Sequence, residues 1–339
     1  MVSNSASITS ISEHVGGEDR APKIALVIPC YRESEHVLGV LDSIPEDVAT
    51  IFCVDDGCPD ATGRLIEEEN SDDRVRVIYH DQNKGVGAAM RSGYRAALAE
   101  GADIIVKIDG DGQMDPHDID RFVQPLREGL ADYTKGNRFF RLENTASMPR
   151  ARLLGNIGLS FASKLSTGYW QCFDPNNGYT AIDSRVLALL PLDDIDDRFF
   201  FESDMLFRLN TLRAVVMDVP MQAKYGAEES SLSLRRAVPL FLFRHSVNFA
   251  KRIFYNYFLR GFSIASLEWI GGPLLMLFGL LFGIDRWAQS IEASVAATAG
   301  TVMLAALPLI IGTQMLLSAI QFDVANEPSN PISRLLPGR

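Results

Sequence analysis

Cysteine is scarce in this sequence: Cys30, Cys53, Cys58 and Cys172 are the only four in 339 residues. None stands in a Cys-x-x-Cys pair or at zinc spacing, so a disulfide framework or a zinc site is not indicated. They read as buried thiols in a reducing compartment. Positive charge is also short. The 32 Lys and Arg face 43 Asp and Glu, a net charge of −11, which argues against a nucleic-acid partner. The N-terminus lacks the apolar run of a signal peptide, and residues 1–22, rich in Ser, Glu and Gly, read as a loose tail. No internal repeat is visible. Glycine-rich phosphate loops are missing: Met90 stands where a dinucleotide fingerprint after Gly85-x-Gly87 needs its third glycine, and there is no Walker A motif. An EF-hand is excluded, since Gln113 and Met114 occupy the positions that loop gives to Asp or Asn and to Gly.

What is present is an alternation of short β-branched runs and helical patterns. Ile24–Ile28, Ile51–Val54, Val75–Tyr79 and Asp103–Ile108 read as buried strands. Between them lie helices predicted from Glu35 to about Ser43, with Ser34 as its cap, from Asp60 to about Glu69, and up to about Glu100. This order predicts an α/β domain with a parallel, doubly wound sheet. Each strand ends in polar or glycine residues, and in such a sheet those ends share one edge, where ligands bind. The fourth strand runs into Asp109-Gly110-Asp111-Gly112. Two carboxylates two residues apart at a strand end suit Mg²⁺ or Mn²⁺ that also takes phosphate oxygens, although Asp and Gly also make ordinary turns.

Seven short motifs now follow in order: Ile-Pro-Cys-Tyr-Arg-Glu (28–33), Val-Asp-Asp-Gly (54–57), Asn-Lys-Gly (83–85), Asp-Gly-Asp-Gly-Gln (109–113), Gly-Asn-Arg (136–138), the run Asp174–Ile182 and Phe-Glu-Ser-Asp (201–204). Over about Ile24–Leu234 the chain resembles family 2 glycosyltransferases of GT-A fold, in the branch of dolichyl-phosphate mannose synthases and bacterial polyprenyl-phosphate glycosyltransferases. The resemblance implies a Rossmann-like mixed sheet and assigns roles. Pro29, Tyr31 and Glu33, with Asp55 and Asp56, line a nucleoside pocket. Lys84 either contacts donor phosphate or ribose or is a solvated lysine at a helix start. Asp109 and Asp111 hold the metal on the diphosphate, with Gln113 beside them. Arg138, with Arg150 or Arg152, meets the phosphate of the acceptor, within a wider cluster that includes Lys135 and Arg141. Asn176, Asn177 and Gly178 shape the sugar pocket. Glu202 and Asp204 open a helix predicted from Arg198 to Leu209 and position sugar or arginine side chains, since a phosphate acceptor is already ionised and needs no strong base.

The C-terminal third changes character. Residues 235–260 hold six Lys or Arg and no acid. Arg244, Asn248, Lys251 and Arg252 share one helical face, which predicts a basic amphipathic helix lying on an anionic membrane. Residues 261–284 carry one charge, Glu268, and residues 293–322 none; each is long enough to span a hydrocarbon core of about 30 Å. A loop with Asp285, Arg286 and Glu292 is expected between the spans, and a tail, 323–339, after them. The basic residues before the first span place the domain at 23–234 in the cytoplasm. The expected partners are a nucleotide-sugar, a polyprenyl phosphate and the membrane; a homo-oligomer is compatible with the sequence. The implied reaction is inverting sugar transfer from a UDP- or GDP-sugar to the lipid phosphate. The alternatives are transfer to another membrane acceptor, or a non-catalytic nucleotide-sugar-binding protein. The Gln-x-x-Arg-Trp signature of processive synthases is absent, because Gly283 precedes Arg286-Trp287.

Overall fold

A computed structural model describes residues 21–140, 150–222 and 234–337, with the backbone alone described at 150–157 and 234–237. Seven strands form one sheet: β1 Ile24–Cys30, β2 Val48–Asp55, β3 Val75–Tyr79, β4 Ile104–Lys107, β5 Tyr133–Asn137, β6 Thr180–Asp183 and β7 Val216–Pro220. Their order is β3-β2-β1-β4-β6-β5-β7. The first four are mutually parallel, while β6 runs antiparallel to both β4 and β5. The sheet is therefore mixed.

Helices cover both faces: α1 Val37–Asp42, α2 Thr62–Glu69, α3 Val86–Ala99, α4 Ile119–Arg127, α5 Arg150–Thr167, α6 Ser184–Leu187 and α7 Phe201–Leu212. The two-residue period of a strand divides the core. Ile24, Leu26 and Ile28 of β1 pack with α1, α2 and α4. Ala25 and Val27 pack with α3, α6 and α7. Helix α1 begins later than the sequence suggests. His36 is its N-cap, without a side-chain bond, and the first turn is closed by the Glu33 carbonyl, which accepts from the His36 and Val37 N–H groups; Ser34 does not cap it.

Helix α8, Leu234–Phe254, continues through a π-helical turn, Tyr255–Arg260, to α9, Ile264–Ala293, and α10, Ala299–Ala325. Its polar stripe faces the opposite way from the sequence prediction. Arg244 pairs with Asp196, Asn248 Nδ2 donates to Asp204 Oδ1 at 3.1 Å, and Arg252 is buried in an ion pair with Asp323. Val238, Leu240, Leu242, Phe243 and Phe254 are exposed. The acids of the neighbouring elements attract the cations inward, since a buried acid without a partner would be costly; of the four predicted residues only Lys251 is exposed.

Helices α9 and α10 are long and apolar enough to cross a membrane, and only 11 % of the most apolar window of each is buried, so they are not core helices of the domain. They pack closely through small residues: a Cβ on Gly312 would lie 2.6 Å from the Gly272 carbonyl, the close approach that holds apolar helices together in lipid. The polar segment Asp285–Glu292 belongs to α9 and is not a loop. At 1.5 Å per residue, the 30 residues of α9 reach about 45 Å, well past the hydrocarbon core.

The tail returns to the domain. Asp132, fully buried just before β5, accepts N–H groups from Ile332 (2.9 Å), Ser333 (2.8 Å) and Val215 (2.7 Å). The Asp132 carboxylate thus depends on residues 332–333, and a domain ending at residue 234 would lose that partner.

One buried group on α8 makes stability pH-dependent. His245 Nδ1 lies 2.7 Å from Ser166 Oγ, and burial pushes its pKa from 6.5 down to about 4. The unfolded chain therefore takes up this proton before the folded one, and stability falls as pH drops from 6.5 towards 4, at most about 1.4 kcal/mol per pH unit. The melting temperature of full-length protein in detergent is expected to fall between pH 7 and 5. His245→Asn should flatten that decline, and an identical slope would assign it to other groups.

Candidate active site at the carboxyl end of β4

Lys107 closes β4 and is fully buried. By strand parity it shares a face with Ile105, towards α3 and α7. Its Nζ donates to Asp109 Oδ1 at 2.7 Å and to the Gly178 carbonyl at 3.1 Å, and it lies 3.5 Å from Glu202 Oε1. Burial alone would lower the pKa of this ammonium; Asp109, followed by Glu202, more than offsets that, and it stands above the ordinary lysine value. The lysine is charged and joins three elements: the strand end, the turn before β6 and the first turn of α7. Gly178 gives this pair its room: a Cβ there would stand 2.2 Å from Asp109 Oδ2 and 2.6 Å from Lys107 Nζ, so the ion pair would have to shift. Asp111 Oδ1 accepts the Gln113 N–H at 2.9 Å, which turns the Asp109–Gln113 loop back on itself. On the other side, Glu33 lies over Gly110, whose Cβ would meet Glu33 Cγ at 3.3 Å. The β1 loop and the β4 loop are thus adjacent. Tyr31 is exposed, with the Arg32 guanidinium over its ring, Pro29 is half-buried, and Lys84 has an exposed side chain.

Three predicted residues are engaged elsewhere. Asp55 accepts from Cys58 N and Gly63 N, both at 2.7 Å, which ties β2 to the start of α2. Asp56 accepts from Lys84 N (2.9 Å) and Gly85 N (2.7 Å) and meets His80 Nδ1 at 2.7 Å. It shapes the loop before α3, and both of its oxygens are occupied. Asp204 accepts from Asp196 N, Arg208 Nε and Asn248 Nδ2. Residues two apart on a helix do not share a face, so Glu202 points to Lys107 while Asp204 holds α8.

At the end of β5, Asn137 Nδ2 donates to Asp218 Oδ2 of β7 at 3.0 Å. Arg138 forks onto buried Asp174, Nε at 2.7 Å and Nη2 at 3.1 Å, leaving its side chain 34 % exposed. Asp174 also takes Asn177 Nδ2 at 3.2 Å. Lys135 does not join this arginine. It is fully buried and donates to the Asn177 carbonyl at 2.5 Å, and burial lowers its pKa. Arg141 and the side chains of Arg150 and Arg152 lie outside the described residues; the backbone places the latter two in the first turn of α5.

The sequence reading missed Lys107, Asp174 and Arg252 as organising charges. A lysine inside the run Ile104–Ile108 was a visible signal, because a lysine in a buried strand needs a partner.

A mixed sheet with a carboxylate pair at the β4 end is thus followed by two helices long and apolar enough to cross a membrane. The chain belongs to glycosyl transferase family 2, whose model matches residues 25–189. It is 31 % identical over 216 residues to a UDP-N-acetylglucosamine–dolichyl-phosphate N-acetylglucosaminyltransferase of Methanococcus voltae, covering 60 % of this chain and 86 % of the relative. It is 29 % identical to an undecaprenyl-phosphate mannosyltransferase of Micrococcus luteus, covering 59 % and 82 %. Its fold is similar to that of glucosyl-3-phosphoglycerate synthase from Mycobacterium tuberculosis, solved with Mn²⁺, UDP and glucosyl-3-phosphoglycerate: TM-score 0.51 and 18 % identity, covering 68 % of this chain and 80 % of that one.

Proposed function

We propose that the protein transfers a sugar, with inversion, from a UDP- or GDP-sugar to a polyprenyl phosphate at the cytoplasmic membrane face. The observation that carries this reading is the Asp109–Lys107–Glu202 cluster, with Asp111 beside it, at the ligand edge of a domain whose tail and α8 are bonded to it and whose next helices are apolar and exposed. The named activities of the two relatives support the acceptor class.

Asp109 and Asp111 offer hard carboxylate oxygens, the donor chemistry that Mg²⁺ and Mn²⁺ prefer, and two carboxylates leave positions for a diphosphate. When bound, the ion stabilises the departing nucleoside diphosphate. Gln113 lies beside these ligands. Pro29, Tyr31, Glu33 and Lys84 line the nucleoside side. Asp55 and Asp56 act behind them by fixing the loops. Arg138, oriented by Asp174, presents its exposed edge to the acceptor phosphate, and Arg150 and Arg152 open the helix that follows. A phosphate oxygen attacks the anomeric carbon from the face opposite the leaving group; the new C–O bond forms as the bond to the diphosphate breaks. No general base is needed, so Glu202 serves the lysine.

Purified full-length protein is tested with labelled nucleotide-sugars and polyprenyl phosphate, polyprenol or diacylglycerol. Transfer is expected to the phosphate alone, and equal transfer to a hydroxyl acceptor would overturn the reading. Arg138→Ala should lower kcat/KM for the lipid by about 10- to 150-fold, the worth of a charge-assisted phosphate contact of roughly 1.5–3 kcal/mol, with nucleotide binding near normal. Arg138→Lys should recover only part, because a point charge does not reproduce the fork.

A further inference from the structure

The Lys107 ammonium sits where a metal cation would be at home. Its three oxygen neighbours are Asp109 Oδ1 at 2.7 Å, the Gly178 carbonyl at 3.1 Å and Glu202 Oε1 at 3.5 Å, contributed by three separate elements. Among the described residues no group of three or more His, Cys, Asp or Glu side chains is disposed to hold a metal; Asp109 and Glu202 both reach the Lys107 ammonium. Lys107 is what separates Glu202 from Asp109. The lysine is 1 % exposed and Glu202 13 %, so water screens this charge far less than at a surface.

We propose that Lys107 is a built-in counter-cation that keeps the empty site weak for divalent ions, so that the ion is retained only together with the donor diphosphate. The inference rests on the proposed metal role of Asp109 and Asp111. With Lys107 in place, one Asp109 oxygen and Glu202 are already committed to a positive charge, and an incoming ion meets a like charge. The remaining carboxylate oxygens leave most of the octahedral shell of Mg²⁺ or Mn²⁺ to neutral water, which does not offset the like charge of Lys107. The diphosphate supplies both the missing oxygens and the missing negative charge. Lys107 is therefore a positioning residue: it fixes Asp109 and makes metal entry conditional on the nucleotide.

The test measures Mn²⁺ binding to full-length protein by the electron paramagnetic resonance signal of free Mn²⁺, with and without UDP or GDP. Wild type is expected to bind Mn²⁺ weakly alone and more tightly with nucleotide, and Asp111→Asn to lose the nucleotide-dependent binding. Failure of that part overturns the metal reading itself. Lys107→Met removes the like charge held on Asp109 Oδ1 and should tighten nucleotide-free Mn²⁺ binding by at least about tenfold. The double variant Lys107→Met with Glu202→Gln should lose that gain, since Glu202 is the ligand released. If wild type behaves as expected but Lys107→Met binds Mn²⁺ alone no better than wild type, only the counter-cation inference fails. Should Lys107→Met be unfolded without metal, regaining a cooperative melt with Mn²⁺ supports the proposal; remaining unfolded at saturating Mn²⁺, with Lys107→Gln equally unresponsive, overturns it.

Discussion

Asp111→Asn is expected to lower kcat by about 10²-fold or more, the usual loss when one charge-stabilising group is removed from a reaction centre. The substitution is close to isosteric. The Asn carbonyl oxygen still accepts the Gln113 N–H that Asp111 receives at 2.9 Å, so the Asp109–Gln113 turn should survive and the melting temperature should move little. What disappears is one negative charge at the proposed metal position. Asp109 is a less clean target, because it also neutralises buried Lys107; Asp109→Asn mixes lost metal ligation with an under-compensated buried ammonium. In the wild type, EDTA should abolish turnover and Mg²⁺ or Mn²⁺ should restore it. Undiminished turnover of Asp111→Asn in EDTA would sink the metal role.

The part of this site that was legible in the sequence is the part set by local pattern. β-branched runs marked β1 to β4, and Asp-Gly repeats marked the strand ends that carry chemistry. Asp109, Asp111 and Gln113 alternate with glycines in one short stretch, so their proximity needs no tertiary knowledge. Asp55 and Asp56 show the limit. Adjacent carboxylates at a strand end look alike in sequence, yet Asp55 accepts the Gly63 N–H in the first turn of α2 and Asp56 holds the Lys84–Gly85 loop. Which backbone N–H groups need an acceptor is decided by how loops return, and that is non-local. Helix α8 shows the same limit more sharply. Its period was correct, but a polar stripe does not say whether water, lipid headgroups or buried acids face it. Here Asp196, Asp204 and Asp323 do, and they come from two places far from α8 in the chain, one on either side of it. The family resemblance named motif residues, and Lys107, which lies just before a motif, escaped it.

Asp323→Ala is expected to destabilise the protein by about 3–5 kcal/mol, the cost of stripping one partner from a buried ion pair. Asp323 lies near the end of α10 and is buried. Its carboxylate accepts from Arg252 Nη1 (2.6 Å) and Nη2 (2.9 Å), Tyr257 Oη (2.6 Å) and Trp170 Nε1 (2.9 Å). Arg252 in turn spends its other bonds on the carbonyls of Ser166 and Leu165, at the end of α5. One acid thus ties α10 to α8 and to α5, the helix whose first turn carries Arg150 and Arg152. Without it, a fully buried guanidinium and an indole N–H lose their acceptor. The readouts are the melting temperature in detergent and the rate of proteolysis near residue 170, where Trp170 and Gln171 also depend on Glu327. A lower melting temperature and faster cleavage are expected; values equal to wild type would show that the cluster carries no net stability. Arg252→Met combined with Asp323→Leu should recover only part of the loss: it removes the unpaired charge, but Tyr257 Oη and Trp170 Nε1 lose their acceptor and the Ser166 and Leu165 carbonyls lose their donor. If that double variant melts like the wild type yet transfers sugar poorly to the lipid, the pair serves to set the height and orientation of the domain over the membrane rather than to hold the fold together.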